Sequence, residues 1–387
     1  MPSQPDSWST RLASRAAERR EQGLWRHRRT HVPASGVHDF AGNDYLGLAR
    51  DPRLAEAQAN GARRFGAGSG ASHLVSGHLE VHETLEQRLA DLTGRPRALL
   101  FSTGYMANLG TLQALCDGDT HLFQDRLNHA SLIDGAQLAG ARSRRFHHGD
   151  SVDLARMLAR SPVNAPKLVI SDGVFSMDGD VADIAALATI SARHHAWLMI
   201  DDAHGLGVLG RHGDGCVGRA HDLSRVPILV GTLGKALGTG GAFVAGSQAL
   251  IDHLIQFARP YVYTTAQPPG VAAATLKALD ILATEPERRG HLQALVAYFR
   301  HEAQRLGLPL ATSTTPIQPL LLGDSRRVMH WAGELLAAGI LVGAIREPTV
   351  PKGQARLRIT LNAAHSIDAL DALLDTLARL TKAEDSP

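Results

Sequence analysis

From residue 96 to residue 246 the chain alternates short apolar runs with amphipathic stretches, a pattern that few architectures accept. The runs are RALLFS (97–102), HLFQ (121–124), RRFHH (144–148), KLVISD (167–172), WLMIDD (197–202), PILVGT (227–232) and GAFVAG (241–246). Helical patterns such as VDLARMLARS and VADIAALATISARHH fill most of the gaps. Alternation of this kind predicts an α/β fold, a mostly parallel sheet flanked by helices. Near residue 280 the pattern changes: ALDILATEPERRGHLQALVAYFRHEAQRLGLP reads as one long helix. The strand candidates IQPLLLG, ILVGAI and ARLRITLN then alternate with helices, and SIDALDALLDTLARLTK closes the chain as an amphipathic helix. The expected division is therefore an N-terminal helical segment and turn (1–45), a large α/β domain (46–280) and a smaller α+β domain (281–387). A length of 387 residues suits two domains.

Composition excludes several classes of function. Forty basic against 38 acidic side chains leave a net charge of +2, without the basic excess of a nucleic-acid binder. Cys116 and Cys216 have no CxxC spacing, so neither a disulfide framework nor a cysteine zinc site is expected. The first 20 residues lack the apolar core of a secretory signal. The longest uncharged stretches, 98–116 and 236–251, are broken by polar residues and do not read as membrane spans. A soluble, cytoplasmic enzyme is the expectation.

Two glycine-rich segments invite a nucleotide-binding reading and fail it. GLGVLG (205–210) has the GxGxxG spacing, but Asp202-Ala203-His204 separates it from the strand and RHGDGCVG cannot open a packed helix. GTLGKAL (231–237) has no glycine five residues before Gly234, and Ala236 stands where a phosphate loop needs a hydroxyl.

In an open α/β sheet, ligands lie beyond the carboxyl ends of the strands. Those ends present Ser102-Thr103-Gly104-Tyr105, Asp125 to His129, Ser171 to Gly179, Asp201-Asp202-Ala203-His204, and Thr232-Leu233-Gly234-Lys235. The chain has only five lysines (167, 235, 277, 352 and 382), and Lys235 alone sits among these ends, between apolar runs and glycines. A lysine so placed has a depressed pKa and is suited to Schiff-base chemistry. Asp201 and Asp202 read as turn carboxylates or, with His204, as metal ligands; no third ligand motif accompanies them, and no metal is expected. His129 reads as a helix cap or a functional ring. Ser102-Thr103-Gly104 reads as an ordinary helix cap or as free amides that hold a phosphate. An imine lysine, an acid for a ring nitrogen and an anion site together fit pyridoxal 5'-phosphate.

These residues lie in a longer set of motifs: NDYLGL (43–48), GSGASHLVSGHLEVHETLE (68–86), DRLNHASLIDG (125–135), SDGVFSMDGD (171–180), DDAHGLGVLG (201–210), TLGKALGTGGAF (232–243), YVYTTAQPP (261–269) and REPTVPKGQARLRITLNAAH (346–365). In identity and order the set resembles the α-oxoamine synthases, pyridoxal-phosphate transferases of fold-type I. The resemblance implies a large domain with a mostly parallel seven-stranded sheet. It implies that Lys235 carries the cofactor and shuttles protons, that Asp201 pairs with the pyridine nitrogen and His204 with the ring oxygen, and that His129 stacks on the ring and borders substrate. It places Ser176 beside the cofactor, and the Gly104-Tyr105 backbone and Thr232 at the phosphate. Arg346 would hold an amino-acid carboxylate, while Thr349, Asn43 and Arg26 would border substrate, with Arg28 and Arg29 as alternatives to Arg26. Among family members the motifs point to the branch that condenses L-alanine with a pimeloyl thioester in biotin biosynthesis; sister enzymes use glycine or serine. Coenzyme A and an acyl carrier protein are both open as the thiol carrier. The resemblance also implies a homodimer with active sites at the subunit interface, YVYTT reaching the neighbouring site.

Overall fold

The computed structural model describes residues 7–22, 24–26, 28, 30 and 36–384. Seven strands form the large sheet: β2 (Arg97–Phe101), β3 (His121–Asp125), β4 (Arg142–Phe146), β5 (Lys167–Asp172), β6 (Trp197–Asp201), β7 (Ile228–Thr232) and β8 (Ala242–Gly246) follow β1 (His38–Phe40) in the chain. Their order is β2-β8-β7-β6-β5-β3-β4, and β8 alone runs antiparallel to its neighbours. All seven expected runs are strands; RRFHH pairs two residues earlier than read, at 142–146, because Arg142 aligns with His121 of β3. Strands β3, β5 and β8 are buried at every position. Burial on both faces is what a sheet covered by helices requires, and it explains why these runs are continuous rather than alternating.

The second sheet has four strands in the order β1-β10-β11-β9, with β9 at Ile317–Gly323, β10 at Ile340–Ile345 and β11 at Ala355–Thr360. Strand β1 pairs in parallel with β10, His38 facing Ile340. The sequence pattern groups residues 38–40 with the N-terminal segment, yet they form an edge of the second sheet. Three residues carry no readable alternation; the partner strand supplies the order.

The expected long helix from residue 278 is two helices, Pro269–Thr284 and Glu287–Arg305. Pro286 lacks an amide donor and forces the preceding residue out of the helical region, and Glu285 indeed has φ −123° and ψ 60°. The helix Pro269–Thr284 packs along Pro52–Phe65, and Arg53 reaches across to Glu285 at 2.5 Å. No helix among the described residues is long and apolar enough to cross a membrane.

Candidate active site

Strand β6 ends at Asp201 and strand β7 at Thr232, side by side in the sheet. The turn after β6 carries His204 inward, and the turn after β7 carries Lys235 to meet it: Lys235 Nζ lies 3.0 Å from His204 Nε2. The other ring nitrogen of His204, Nδ1, lies 2.5 Å from the hydroxyl of Tyr45. Burial, with the cations of Lys235 and Arg358 nearby, holds His204 well below the usual imidazole range. The imidazole is therefore neutral, and the buried phenol of Tyr45, pushed up to about 12 by burial, keeps its proton between His204 Nδ1 and Asn43 Oδ1, which lies 3.3 Å away. Lys235 is lowered to about 8, first by burial; Asp201 and Asp172 oppose the shift and Arg358 adds to it. A half-buried amine that loses its proton near neutrality can act as nucleophile and base.

Asp201 is buried and doubly held. Its Oδ1 accepts from the Ala203 amide at 3.0 Å and its Oδ2 from Asn108 Nδ2 at 2.6 Å. Beside it at the end of β5, Asp172 accepts from the His129 amide at 2.7 Å. Burial and the like charge of Asp201 push Asp172 well above the ordinary carboxyl range. His129 is the N-cap of the helix Ala130–Leu138, and its Nδ1 lies 2.7 Å from Ser131 Oγ. Partial desolvation, and the charge of Lys235, lower its pKa. The cap reading of His129 and the functional one are thus compatible: Nδ1 caps, and the exposed ring is left open.

The helix Gly104–Leu115 begins directly beyond β2, with Thr103 Oγ1 accepting from the Met106 amide at 3.1 Å. The amides of Gly104 and Tyr105 precede the first intrahelical acceptor, so this helix start can hold an anion. The Tyr105 hydroxyl is hydrogen-bonded to Asp134. Thr232 Oγ1 donates to the Gly241 carbonyl at 3.2 Å.

Arg358 is the residue that sequence reading missed. It stands on β11 of the second sheet, 5% exposed, and no carboxylate among the described residues is paired with it. Nε donates to the Ser176 carbonyl at 2.6 Å, and the two terminal nitrogens to Thr360 Oγ1 at 2.9 Å and Asn43 Oδ1 at 3.0 Å. One guanidinium thus ties Asn43 and Ser176 to the field felt by Lys235. A buried cation without an anion is costly, which makes Arg358 a ready partner for a carboxylate. The RLR alternation of β11 was the available signal: in a strand that is buried throughout, each arginine needs a reason.

Arg26, Arg346 and Thr349 come together elsewhere. They line a cavity of about 530 Å³ with Trp25, Leu341 and Ile345, between the N-terminal segment and β10. Lys235, Asp201 and His204 do not line it. Arg28 is described and exposed, and Arg29 lies outside the described residues.

The glycine-rich decoy is also explained. Gly205 of GLGVLG and Gly215 close around the fully buried carboxylate of Asp202, which accepts from Cys216 Sγ at 3.0 Å, while Gly210 and Gly218 lie against the carboxylate of Asp214. A Cβ at Gly205 would stand 2.0 Å from Asp202 Oδ1, and one at Gly215, where φ is +89°, 1.9 Å from Oδ2. The glycines make room for a carboxylate, and Asp202 faces Cys216 while Asp201 faces the site. Three histidines outside the site, 73, 78 and 82, bring ring nitrogens within 4.8 Å of one another. His82, however, accepts from the Leu79 amide at 3.0 Å and reaches the Gln267 carbonyl at 2.8 Å, so both its nitrogens are engaged.

The residues present fit pyridoxal phosphate: an amine of lowered pKa, a buried carboxylate, a neutral imidazole and a helix start converge beyond one sheet edge. Residues 35–377 match the family Aminotransferase class I and II. The chain is 72% identical over 384 residues to the 8-amino-7-oxononanoate synthase of Chromohalobacter salexigens, covering 99% of this chain and 100% of that one. A serine palmitoyltransferase from S. paucimobilis, solved with a bound PLP–myriocin aldimine, superposes with a TM-score of 0.90 at 28% identity, over 98% of this chain and 99% of that one. The crystal structure of 8-amino-7-oxononanoate synthase from Francisella tularensis superposes with a TM-score of 0.78 at 31% identity, over 90% and 98%.

Proposed function

Since the chain belongs to the aminotransferase class I and II family, we propose that it is a pyridoxal-phosphate-dependent 8-amino-7-oxononanoate synthase, an acyltransferase of biotin biosynthesis. It joins L-alanine to a pimeloyl thioester and releases carbon dioxide and the free thiol carrier. The observation that carries this reading is the Lys235 amine, lowered to about 8 and hydrogen-bonded to His204 at the same sheet edge as Asp201. The 72% identity over 384 residues to a synthase of that name supports the choice of substrates.

The cofactor, when bound, supplies an electron sink conjugated to the alanine Cα. Everything else falls to the chain. Lys235 would hold the cofactor aldehyde, Asp201 its ring nitrogen, His204 its ring oxygen, and the Gly104 and Tyr105 amides with Thr232 its phosphate. The exposed ring of His129 would cover one face, and Ser176, whose carbonyl anchors Arg358, would lie beside it. With alanine in place, the neutral Lys235 amine would take the Cα proton and later return one to the same carbon, since it stays beside that atom. Asp201, held in place by the Ala203 amide and Asn108, would face the ring nitrogen and favour its protonated form. Arg358, with Asn43 hydrogen-bonded to it, takes the alanine carboxylate; Arg346, Arg26 and Thr349 border the acyl chain in the cavity beside β10. The reading assigns residues 46–280 to cofactor binding and 281–387 to the smaller domain, with 1–45 as lead-in.

The same reading makes the protein a cytoplasmic homodimer. Leu74, Val75 and Tyr263 are 49%, 79% and 73% exposed on segments joined by the Ser72–Thr265 bridge, an apolar patch that a second copy would cover. The thiol carrier is coenzyme A or an acyl carrier protein.

A turnover panel tests the assignment: alanine, glycine and serine against pimeloyl, acetyl, succinyl and palmitoyl thioesters. Alanine with pimeloyl thioester should dominate and yield 8-amino-7-oxononanoate with one equivalent of carbon dioxide. Preferred turnover of glycine with a short acyl group, or of serine with palmitoyl, would overturn it in favour of a sister synthase.

A further inference from the structure

We propose that Asn108, which touches neither substrate nor cofactor in this reading, is a positioning residue that sets two active-site groups at once: the orientation of Asp201 and the tautomer of His129. The inference rests on the assignment above for what those groups do, and on the geometry alone for what Asn108 does to them.

Asn108 lies in the helix Gly104–Leu115 and is fully buried. Both hydrogens of its amide are used: Nδ2 donates to Asp201 Oδ2 at 2.6 Å and to Ser131 Oγ at 2.8 Å. Its Oδ1 is buried and has no hydrogen-bond partner among the described residues. An orphaned buried carbonyl is unfavourable, and it is the mark of an amide whose direction is dictated by something stronger. That something is Asp201: turned over, the amide would set its own oxygen against a carboxylate oxygen.

The direction propagates. Ser131 Oγ receives an Asn108 hydrogen, so its own hydrogen is free to go to His129 Nδ1 at 2.7 Å. The Ser131 amide reaches the same nitrogen at 3.3 Å. With two donors aimed at it, Nδ1 is an acceptor, and the imidazole carries its proton on Nε2. One side chain thus aligns a chain of three hydrogen bonds running from Asp201 to the ring that covers the cofactor face. Asparagine is the residue type that can do this, because a single Nδ2 offers two hydrogens. Aspartate at 108, even protonated towards Asp201, has only one; its oxygen would accept from Ser131, so that the Ser131 hydroxyl no longer donates to His129.

The test uses the full chain with 15N-labelled histidine. Long-range proton–nitrogen spectra are recorded with and without pyridoxal phosphate, and the His129 signals are assigned by His129→Gln. In wild type, His129 should be the Nε2–H tautomer by at least about tenfold, an energetic bias of about 1.4 kcal/mol. Asn108→Asp should weaken that preference, with only the Ser131 amide left to favour Nε2–H, and should shift the pH titration of the bound cofactor's visible absorbance, with kcat falling about 10- to 100-fold, the usual cost of losing an outer partner. Ser131→Ala, which keeps the Asp201 contact, should blur the His129 tautomer while leaving the cofactor titration in place. Wild-type His129 in the Nδ1–H form would overturn the proposal, as would an Asn108→Asp protein, folded by its thermal transition, with unchanged tautomer and titration. If Asn108→Asp does not fold, an unchanged tautomer in Ser131→Ala overturns it. The tautomer is read in the protein without cofactor, so a wild type that fails to bind pyridoxal phosphate would sink the functional assignment and leave this inference to stand or fall separately.

Discussion

The floor of the site and its rim are built on different principles. Asp201, His204, Asp172 and Asn108 are buried, each hydrogen-bonded to a group from another element. Arg26 and Thr349 at the rim are exposed and Arg346 is half-buried; they stand on the N-terminal segment and the turn after β10. The floor is cross-linked through one sheet, whereas the rim lies between the N-terminal segment and the smaller domain. Chemistry that must be repeated without error is thereby placed where packing allows one arrangement. Recognition of a long acyl chain is placed where two pieces of the chain meet. Arg358 links the two: it belongs to the second sheet but is as buried as the floor, and it holds Asn43 and the Ser176 carbonyl.

The comparison can be broken first at Lys235. Lys235→Ala should lower turnover by about 10⁴-fold, the upper end of what a positioned acid–base group supplies. Steady-state rates and the visible absorbance of the purified protein both report it, and a variant within tenfold of wild type would contradict the account. The depressed pKa gives a companion expectation: the amine must be neutral to act as base, so kcat should rise with pH through about 8.

A smaller effect separates the two arginines. Arg358→Lys removes a planar donor set that holds three acceptors and should raise the KM for alanine by about 10- to 100-fold, the weight of charge-assisted hydrogen bonds of roughly 1.5–3 kcal/mol. Arg346→Lys, at the half-buried rim, should cost less than about tenfold in the same measurement. The reverse order would move the carboxylate site out to the rim.

Next is a stability effect. Burial pushes Asp202 up to about 7 from 3.8, so the folded protein holds this proton more tightly than the unfolded chain. Its contribution is complete below about pH 4 and is lost as pH rises through about 7. Thermal melts from pH 4 to pH 8 should therefore show wild type losing more stability than Asp202→Asn, whose amide has no proton to release. Parallel melting curves would show that Asp202 is ionised throughout. The smallest effect belongs to the rim: Thr349→Ala should raise the KM for the thioester by about two- to fivefold and leave the cofactor absorbance unchanged, since an exposed hydroxyl contributes about one hydrogen bond.

Much of the floor was legible before any coordinates. Short apolar runs announce strands, their ends announce the polar groups, and a lysine among such ends is conspicuous in a chain with five. The layer behind those groups was not legible. Asn108 and Ser131 sit in helices, where Asn and Ser have ordinary explanations, and Tyr45 reads as part of an apolar turn. Their contacts depend on which helix lies over which strand, and no local pattern records that. The same holds for β1, whose three residues acquire strand geometry only from β10. The break at Pro286, by contrast, was available in the sequence, because proline acts through its own backbone.

The most direct test of the claim that the chemistry resides in the floor is chemical. The protein loaded with pyridoxal phosphate is reduced with borohydride, digested and mapped by mass spectrometry. The account predicts the pyridoxyl group on the peptide containing Lys235, at about one equivalent per chain, and on none of the other four lysines. Attachment to Lys167, Lys277, Lys352 or Lys382, or none at all in a loaded protein, would contradict it.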